Sequence, residues 1–223
     1  MIFPLIVAIC YKESVVPFLL TMAIAVAVAI LPVIFKPKNR RIYAKDGFIT
    51  VAVGWILLSA IGALPFVFSG TIPNYVDALF ESVSGFTTTG ATVMTQIEGT
   101  DFGILFWRSF THWIGGMGVL VFMLAILPSA GGQAIHLMRA EVPGPTKEKL
   151  VPKMKNTAVI LYCIYIALTL IMVIALKICG LSVYDSIVSA LATAGTGGVS
   201  VLNDSIAGYN NPAAEWVVAI FMF

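Results

Sequence analysis

Charge is scarce in this chain. Its 223 residues include 13 Lys+Arg and 11 Asp+Glu, so only 11% are charged. Soluble globular domains carry about a quarter. That scarcity excludes a disordered segment, a charged coiled coil, a basic nucleic-acid binder and an ordinary soluble enzyme. Cysteine is also rare. Cys10, Cys163 and Cys179 lie in or at the ends of apolar stretches. Their spacing fits no disulfide framework or metal knot, and they read as small packing residues. No strand precedes any glycine cluster, so the chain has no nucleotide-binding fingerprint and no organic cofactor is expected. What is abundant is apolar side chain, at 59% of residues. That composition belongs to an integral membrane protein.

A membrane-spanning helix needs about 20 mostly apolar residues. Four runs meet this requirement: 15–35, 48–68, 103–127 and 157–178. Residues 2–10 are too few to span and lack a signal-peptide cleavage pattern. The run from Ala213 is apolar to Phe223, which reads as a truncated helix. The basic residues gather in two connections. Lys36, Lys38, Arg40, Arg41 and Lys45 lie in one, and Arg139, Lys147, Lys149, Lys153 and Lys155 in the other. Segments rich in Lys and Arg stay on the cytoplasmic side, so 36–47 and 129–156 are expected there. The acids Asp77, Glu81, Glu98, Asp101, Asp185, Asp204 and Glu215 then fall towards the outside. They either concentrate cations at that face or mark outer loops that simply exclude basic residues.

Each outer region contains an apolar run of about ten residues, the length of a re-entrant half-helix rather than a span. Asn74 with Asp77, and Ser182 with Asp185, resemble capping boxes at their starts. Each run ends in small flexible residues, Gly85-Phe86-Thr87-Thr88-Thr89-Gly90-Ala91 and Thr193-Ala194-Gly195-Thr196-Gly197-Gly198-Val199. At an offset of 108, residues 77–94 overlie 185–202 without a gap. Asp77 meets Asp185, Thr88 meets Thr196 and Gly90 meets Gly198. The surroundings repeat as well: spanning helix, half-helix, Gly/Thr loop, spanning helix. Irregular backbone inside a membrane must be buried in protein or line a wet cavity. Glycine lets carbonyls turn to an axis, and threonine adds a hydroxyl oxygen. A ring of such oxygens replaces the hydration shell of a monovalent cation, with the negative end of each half-helix aimed at it. The competing account is a Gly/Thr-rich packing turn, which would make the protein a non-transporting membrane scaffold. A third class, an intramembrane hydrolase, lacks a paired-Asp or Ser/His constellation at depth.

Around these loops the chain resembles the TrkH/TrkG/KtrB family of potassium uptake proteins, and within it the membrane subunits of bacterial Trk systems. The resemblance rests on residues 80–93 (FESVSGFTTTGATV), Trp107-Arg108-Ser109 with Trp113-Ile114-Gly115-Gly116-Met117-Gly118, Ala125-Ile126-Leu127-Pro128 and residues 139–145 (RAEVPGP). It implies an all-α polytopic membrane protein of potassium-channel-like helix–pore-loop–helix units with re-entrant half-helices. About two of four units are present here. It implies a potassium filter with Thr87, Thr88, Thr89 and Gly90 from the first loop, and Gly195, Thr196, Gly197 and Gly198 from the second. Ala91 and Val199 stand at the filter edge. It divides the chain into extra N-terminal membrane helices and a basic loop (1–47), a first pore unit (48–128), a cytoplasmic loop (129–156) and a truncated second unit (157–223). Four such units would need roughly 480 residues, so this chain is expected to be a fragment, without the third and fourth filter segments. The resemblance further implies a bacterial or archaeal inner membrane, a cytosolic nucleotide-binding regulatory subunit, and a homodimer of the full-length protein, while the lysines of the Arg139 to Lys155 loop suit contact with membrane lipid.

Three further side chains carry open readings. Arg108 either pairs with an outer acid and sets its helix against the pore, or snorkels to the interface beside Trp107, the reading preferred here. His112 is a hydrogen-bonded structural residue or a proton relay, with the first favoured. Glu81, where the second unit has Ser189, either satisfies backbone groups behind the filter or adds field for the cation. Gly115, Gly116 and Gly118 are read as close helix contacts.

Overall fold

The computed structural model describes residues 1–34, 44–118 and 154–222, with only the backbone of 32–34, 44–48 and 154–158. The expected basic connections therefore lie almost wholly outside the described residues, as does the end of the third predicted span beyond 118. Every described regular element is helical. The helices are α1 (Ile2–Cys10), α2 (Val16–Ile34), α3 (Ala44–Gly62), α4 (Leu64–Phe68), α5 (Tyr75–Phe86), α6 (Phe102–Met117), α7 (Met154–Ile178), α8 (Val183–Ala194) and α9 (Pro212–Phe221), with a 3-10 turn at Ser205–Tyr209 before α9. All-α architecture agrees with the sequence reading.

Two stretches, Ile49–Phe68 and Val159–Ile178, are long and apolar enough to cross a membrane, yet only 28% and 17% of them is buried. A core helix of a soluble protein hides such a surface. Here Ile56, Leu168, Ile171 and Ile174 face outward, each about half exposed or more, as lipid-facing side chains do. Cys10 and Cys163 share this outer surface, and Cys179 is partly buried. The predicted single span over 48–68 is interrupted at Ala63. Pro65 has no N–H to donate to the carbonyl four residues earlier, and its ring crowds that carbonyl. The chain restarts as α4 with Pro65 in its first turn.

The two short helices α5 and α8 are 12 residues each, about 18 Å long, which is roughly half the hydrocarbon thickness. Ser182 caps its helix with the expected partner: its Oγ accepts from Asp185 N–H at 3.0 Å and donates to Asp185 Oδ2 at 2.7 Å, so the carboxylate meets the hydroxyl. Asn74 caps differently, accepting from Val76 N–H at 3.0 Å. An Asx side chain commonly accepts from the amide two residues on, as here.

Helix α6 stands between the half-helices and packs on both. Its N-terminus is fixed by a distant residue. Glu13 accepts from Phe102 N–H at 2.7 Å and Gly103 N–H at 2.9 Å, while Asp101 makes no side-chain cap. Tyr11 stacks on Phe102, and Tyr184 donates to the Phe102 carbonyl at 2.6 Å. Ala8, Phe18, Ala63, Phe66, Phe86 and Trp107 form one buried core. Trp107 also donates its indole N–H to the Gly62 carbonyl at 2.9 Å, where α3 ends. On the other side, Phe106 packs with Tyr184, Val188 and Leu191 of α8.

Candidate functional site

Both half-helices terminate in the same way. In the first, Thr87 N–H donates to the Val83 carbonyl, Thr88 N–H to Gly85 and Thr89 N–H to Ser84. In the second, Gly195 N–H donates to Leu191, Thr196 N–H to Thr193 and Gly197 N–H to Ala192. The three bonds recur 108 residues apart, partner for partner. This is the Schellman arrangement, which needs a left-handed residue just after the helix and normally places glycine there. Thr88 and Thr196 occupy that position instead, at φ 56° and 55°. A β-branched residue in that region is a true outlier, costing on the order of 1–3 kcal/mol. Two residues later Gly90 and Gly198 are left-handed again, at φ 76° and 68°. Both half-helices lack a basic residue in their last turn. The negative end of each dipole is therefore not neutralised locally.

The two loops meet. A Cβ added at Gly90 would collide with the Gly197 carbonyl oxygen, so only glycine permits this approach. Gly195 lies against the His112 carbonyl and Gly197 against the His112 ring. Helix α6 comes equally close to the first unit. Gly115 abuts the Phe86 carbonyl, and Gly85 abuts Thr111. Gly116 touches Tyr165 of α7 and the Gly195 backbone. The expected close contacts at Gly115 and Gly116 are thus with the half-helix ends and α7 together. Gly118 serves instead as a left-handed end to α6, at φ 71°.

The other predicted residues divide into engaged and open groups. The Thr87 hydroxyl donates to the Val83 carbonyl at 2.7 Å and lies 2.8 Å from the Thr89 hydroxyl. The Ala91 carbonyl accepts from Ser84 Oγ at 2.6 Å. Val199 is buried, while Thr89, Thr196 and Gly198 are exposed.

Behind the loops lies a network that joins two of the open readings, Arg108 paired with an acid and Glu81 satisfying backbone. Arg108 is 2% exposed and donates from Nε to Glu81 Oε1 at 2.6 Å. It does not snorkel: burial and this partner overturn that preference. The Glu81 carboxylate also accepts from Thr92 Oγ1 at 3.0 Å and from Val93 N–H at 3.0 Å, so it satisfies backbone behind the loop. Arg108 Nη1 donates to the Ser200 carbonyl at 3.3 Å. Removing one partner of such a buried pair costs roughly 3–5 kcal/mol. His112 Nδ1 lies 3.0 Å from the Arg108 carbonyl. Its Nε2 has no partner among the described residues. Glu81 and Arg108 are 27 positions apart on different helices, so no local spacing could reveal them as a pair.

Known proteins resemble this arrangement along the whole chain. The TrkH family model, described as a cation transport protein, matches residues 15–223. The Trk system potassium uptake protein TrkH of Escherichia coli K12 is 38% identical over 228 residues, spanning 100% of this chain and 47% of that protein. The Trk system potassium uptake protein TrkG of the same organism is 35% identical, over 98% of this chain and 46% of that protein. The crystal structure of the potassium transporter TrkH from Vibrio parahaemolyticus superposes with a TM-score of 0.80 at 31% identity, covering 99% of this chain and 44% of that one. The chain thus spans about half the length of the curated relatives it matches.

Proposed function

Because this chain belongs to the TrkH family of cation transport proteins, we propose that it forms part of a potassium uptake pore, with residues 87–91 and 195–199 as two of its filter segments. The family is one of ion transporters, not enzymes. The observation that carries the proposal is the paired loop geometry. Strained left-handed threonines and glycines recur at matching positions, and the two loops touch at Gly90 and Gly197. A left-handed residue at every second position lets successive carbonyls face one side, which is what a cage for a dehydrated monovalent cation requires. The half-helix ends supply negative potential at the same depth.

Potassium is the transported substrate in this reading, held by backbone oxygens of Thr87 to Gly90 and Gly195 to Gly198 and by threonine hydroxyls. Residues 48–128 and 157–223 are two pore units, 1–47 is an N-terminal extension, and 36–47 and 129–156 face the cytoplasm of a bacterial or archaeal cell. Two loops make half of a four-part ring, so conduction requires further units of the same kind. The full-length protein would pair as a homodimer and dock a cytosolic nucleotide-binding regulatory subunit, in contact with membrane lipid.

The test is potassium uptake in cells stripped of their own potassium transporters. This chain is compared with a version extended to four units, and with Gly90→Ser and Gly198→Ser in the extended chain. Growth at low potassium with the extended chain only, lost or made unselective by either serine at normal membrane abundance, is the expected result. Growth with the 223-residue chain alone would refute the need for further units. Serine variants that lose abundance rather than selectivity would favour a scaffold with packing turns.

A further inference from the structure

We propose that the buried Glu81–Arg108 pair is a specificity-determining bracket that sets the distance between the two loops. The proposal rests on reading these loops as a cation filter. Each end of the pair grips one loop at the same place. Glu81 holds Thr92 through its hydroxyl and Val93 through its amide, directly after the first loop. Arg108 holds the carbonyl of Ser200, directly after the second. Thr92 and Ser200 are 108 residues apart, the offset that aligns the two units. One ion pair therefore joins equivalent points of both loops.

The chemistry suits a spacer. The carboxylate accepts from Arg108, Thr92 and Val93 together, so rotating it breaks several bonds at once. Guanidinium is a rigid planar fork that can point one nitrogen at the acid and another at a carbonyl; an ammonium is a single point charge. With Glu81 and Arg108 only 3% and 2% exposed, water does not loosen the pair. The Arg108 carbonyl accepts from Thr111 Oγ1 at 2.6 Å, which ties the bracket to the part of α6 that abuts Gly85.

Among the described residues the second unit has no such ion pair of its own. At the offset of 108 its residues are Ser189 and Trp216. Trp216 is 70% exposed. Ser189 Oγ has no partner among the described residues, and it lines a cavity of about 190 Å³ with Thr193, Gly198 and Ser200. The second loop is thus held from the first unit. A cage that selects by the spacing and field of its oxygens needs that spacing fixed.

The experiment uses the full-length polypeptide in cells lacking other potassium uptake. Uptake of potassium and of sodium is measured for Glu81→Gln, Arg108→Gln, the double variant, Arg108→Lys and Thr92→Val, with Gly90→Ser as the filter reference. Loss of about tenfold in potassium-over-sodium discrimination is expected for Glu81→Gln and Arg108→Lys, equivalent to about 1.4 kcal/mol of differential binding. The double variant should be no worse than the worse single, since both remove one link. Should the glutamine variants fail to reach the membrane, Arg108→Lys and Thr92→Val decide, because they keep the buried charge balance. Discrimination unchanged in variants of normal abundance, while Gly90→Ser loses it, overturns the bracket and leaves the filter reading standing. Discrimination unchanged in Gly90→Ser as well overturns both.

Discussion

Thr88 and Thr196 hold φ near +55° where glycine would be easier. Replacing Thr88 by Gly trades steric strain for the conformational entropy of glycine, about 0.5–1 kcal/mol. Stability should therefore hold or rise, by up to about 2 kcal/mol, while potassium-over-sodium discrimination falls because the loop loosens. Thermal unfolding in detergent and cation uptake measure the two separately; loss of stability with intact discrimination would contradict this account. Gly197 makes a second residue-scale test, since its hydrogen faces the His112 ring. Gly197→Ala should destabilise by about 1–3 kcal/mol through overpacking. His112→Ala in the same chain should recover part of that loss, because the two groups touch and their effects are not additive. Gly90, Gly198 and the threonines were visible in the sequence because a repeated Gly/Thr cluster after an apolar run has few physical uses in a membrane. Their left-handed conformations were not visible, since threonine rarely adopts them.

Helix α6 shows how an element can depend on residues far from it in sequence. Its first amides are satisfied by Glu13, about 90 positions upstream. A carboxylate at a helix N-terminus satisfies free donors and suits the dipole. Glu13→Ala should lower stability by about 1–2 kcal/mol and leave cation discrimination unchanged, as Glu13 is remote from the loops; a change in discrimination at normal stability would refute this division of labour. Hydropathy alone placed α2, α3 and α7, whose surfaces face outward along most of their length. Cap residues and short length placed α5 and α8. The break at Ala63 was missed although Pro65 was in view, because a proline near the end of an apolar run is also compatible with a continuous span.

Across the whole molecule, the packing of α6 between two half-helices gives one chain two loops facing each other. The outer connections are clipped as well. Ile97 N–H donates to Asn203 Oδ1 at 2.8 Å, and Asn203 N–H donates to Glu98 Oε1 at 3.2 Å. In the orientation proposed above, the basic connections face the cytoplasm. After Cys10, Cys163 and Cys179 are changed to Ser, a single Glu98→Cys should react with an impermeant thiol reagent added outside intact cells. Lys147→Cys should react only once the cells are opened. The reverse pattern would invert the topology proposed here.

The sequence by itself determined the membrane class, most of the apolar helices, the two half-helices and the Gly/Thr loops. Each of these is set by composition, by run length or by chemistry within a few residues. Tertiary structure alone decided the rest. It placed Arg108 in the interior against Glu81, brought Gly90 to Gly197, and put Glu13 at the head of α6. Burial and pairing depend on how separate helices dock, and residues 27 to 107 positions apart leave no periodic trace of their contact. Arg108 beside Trp107 reads locally as an interfacial anchor; only the walls supplied by α5 and the second loop turn it into a buried link between them.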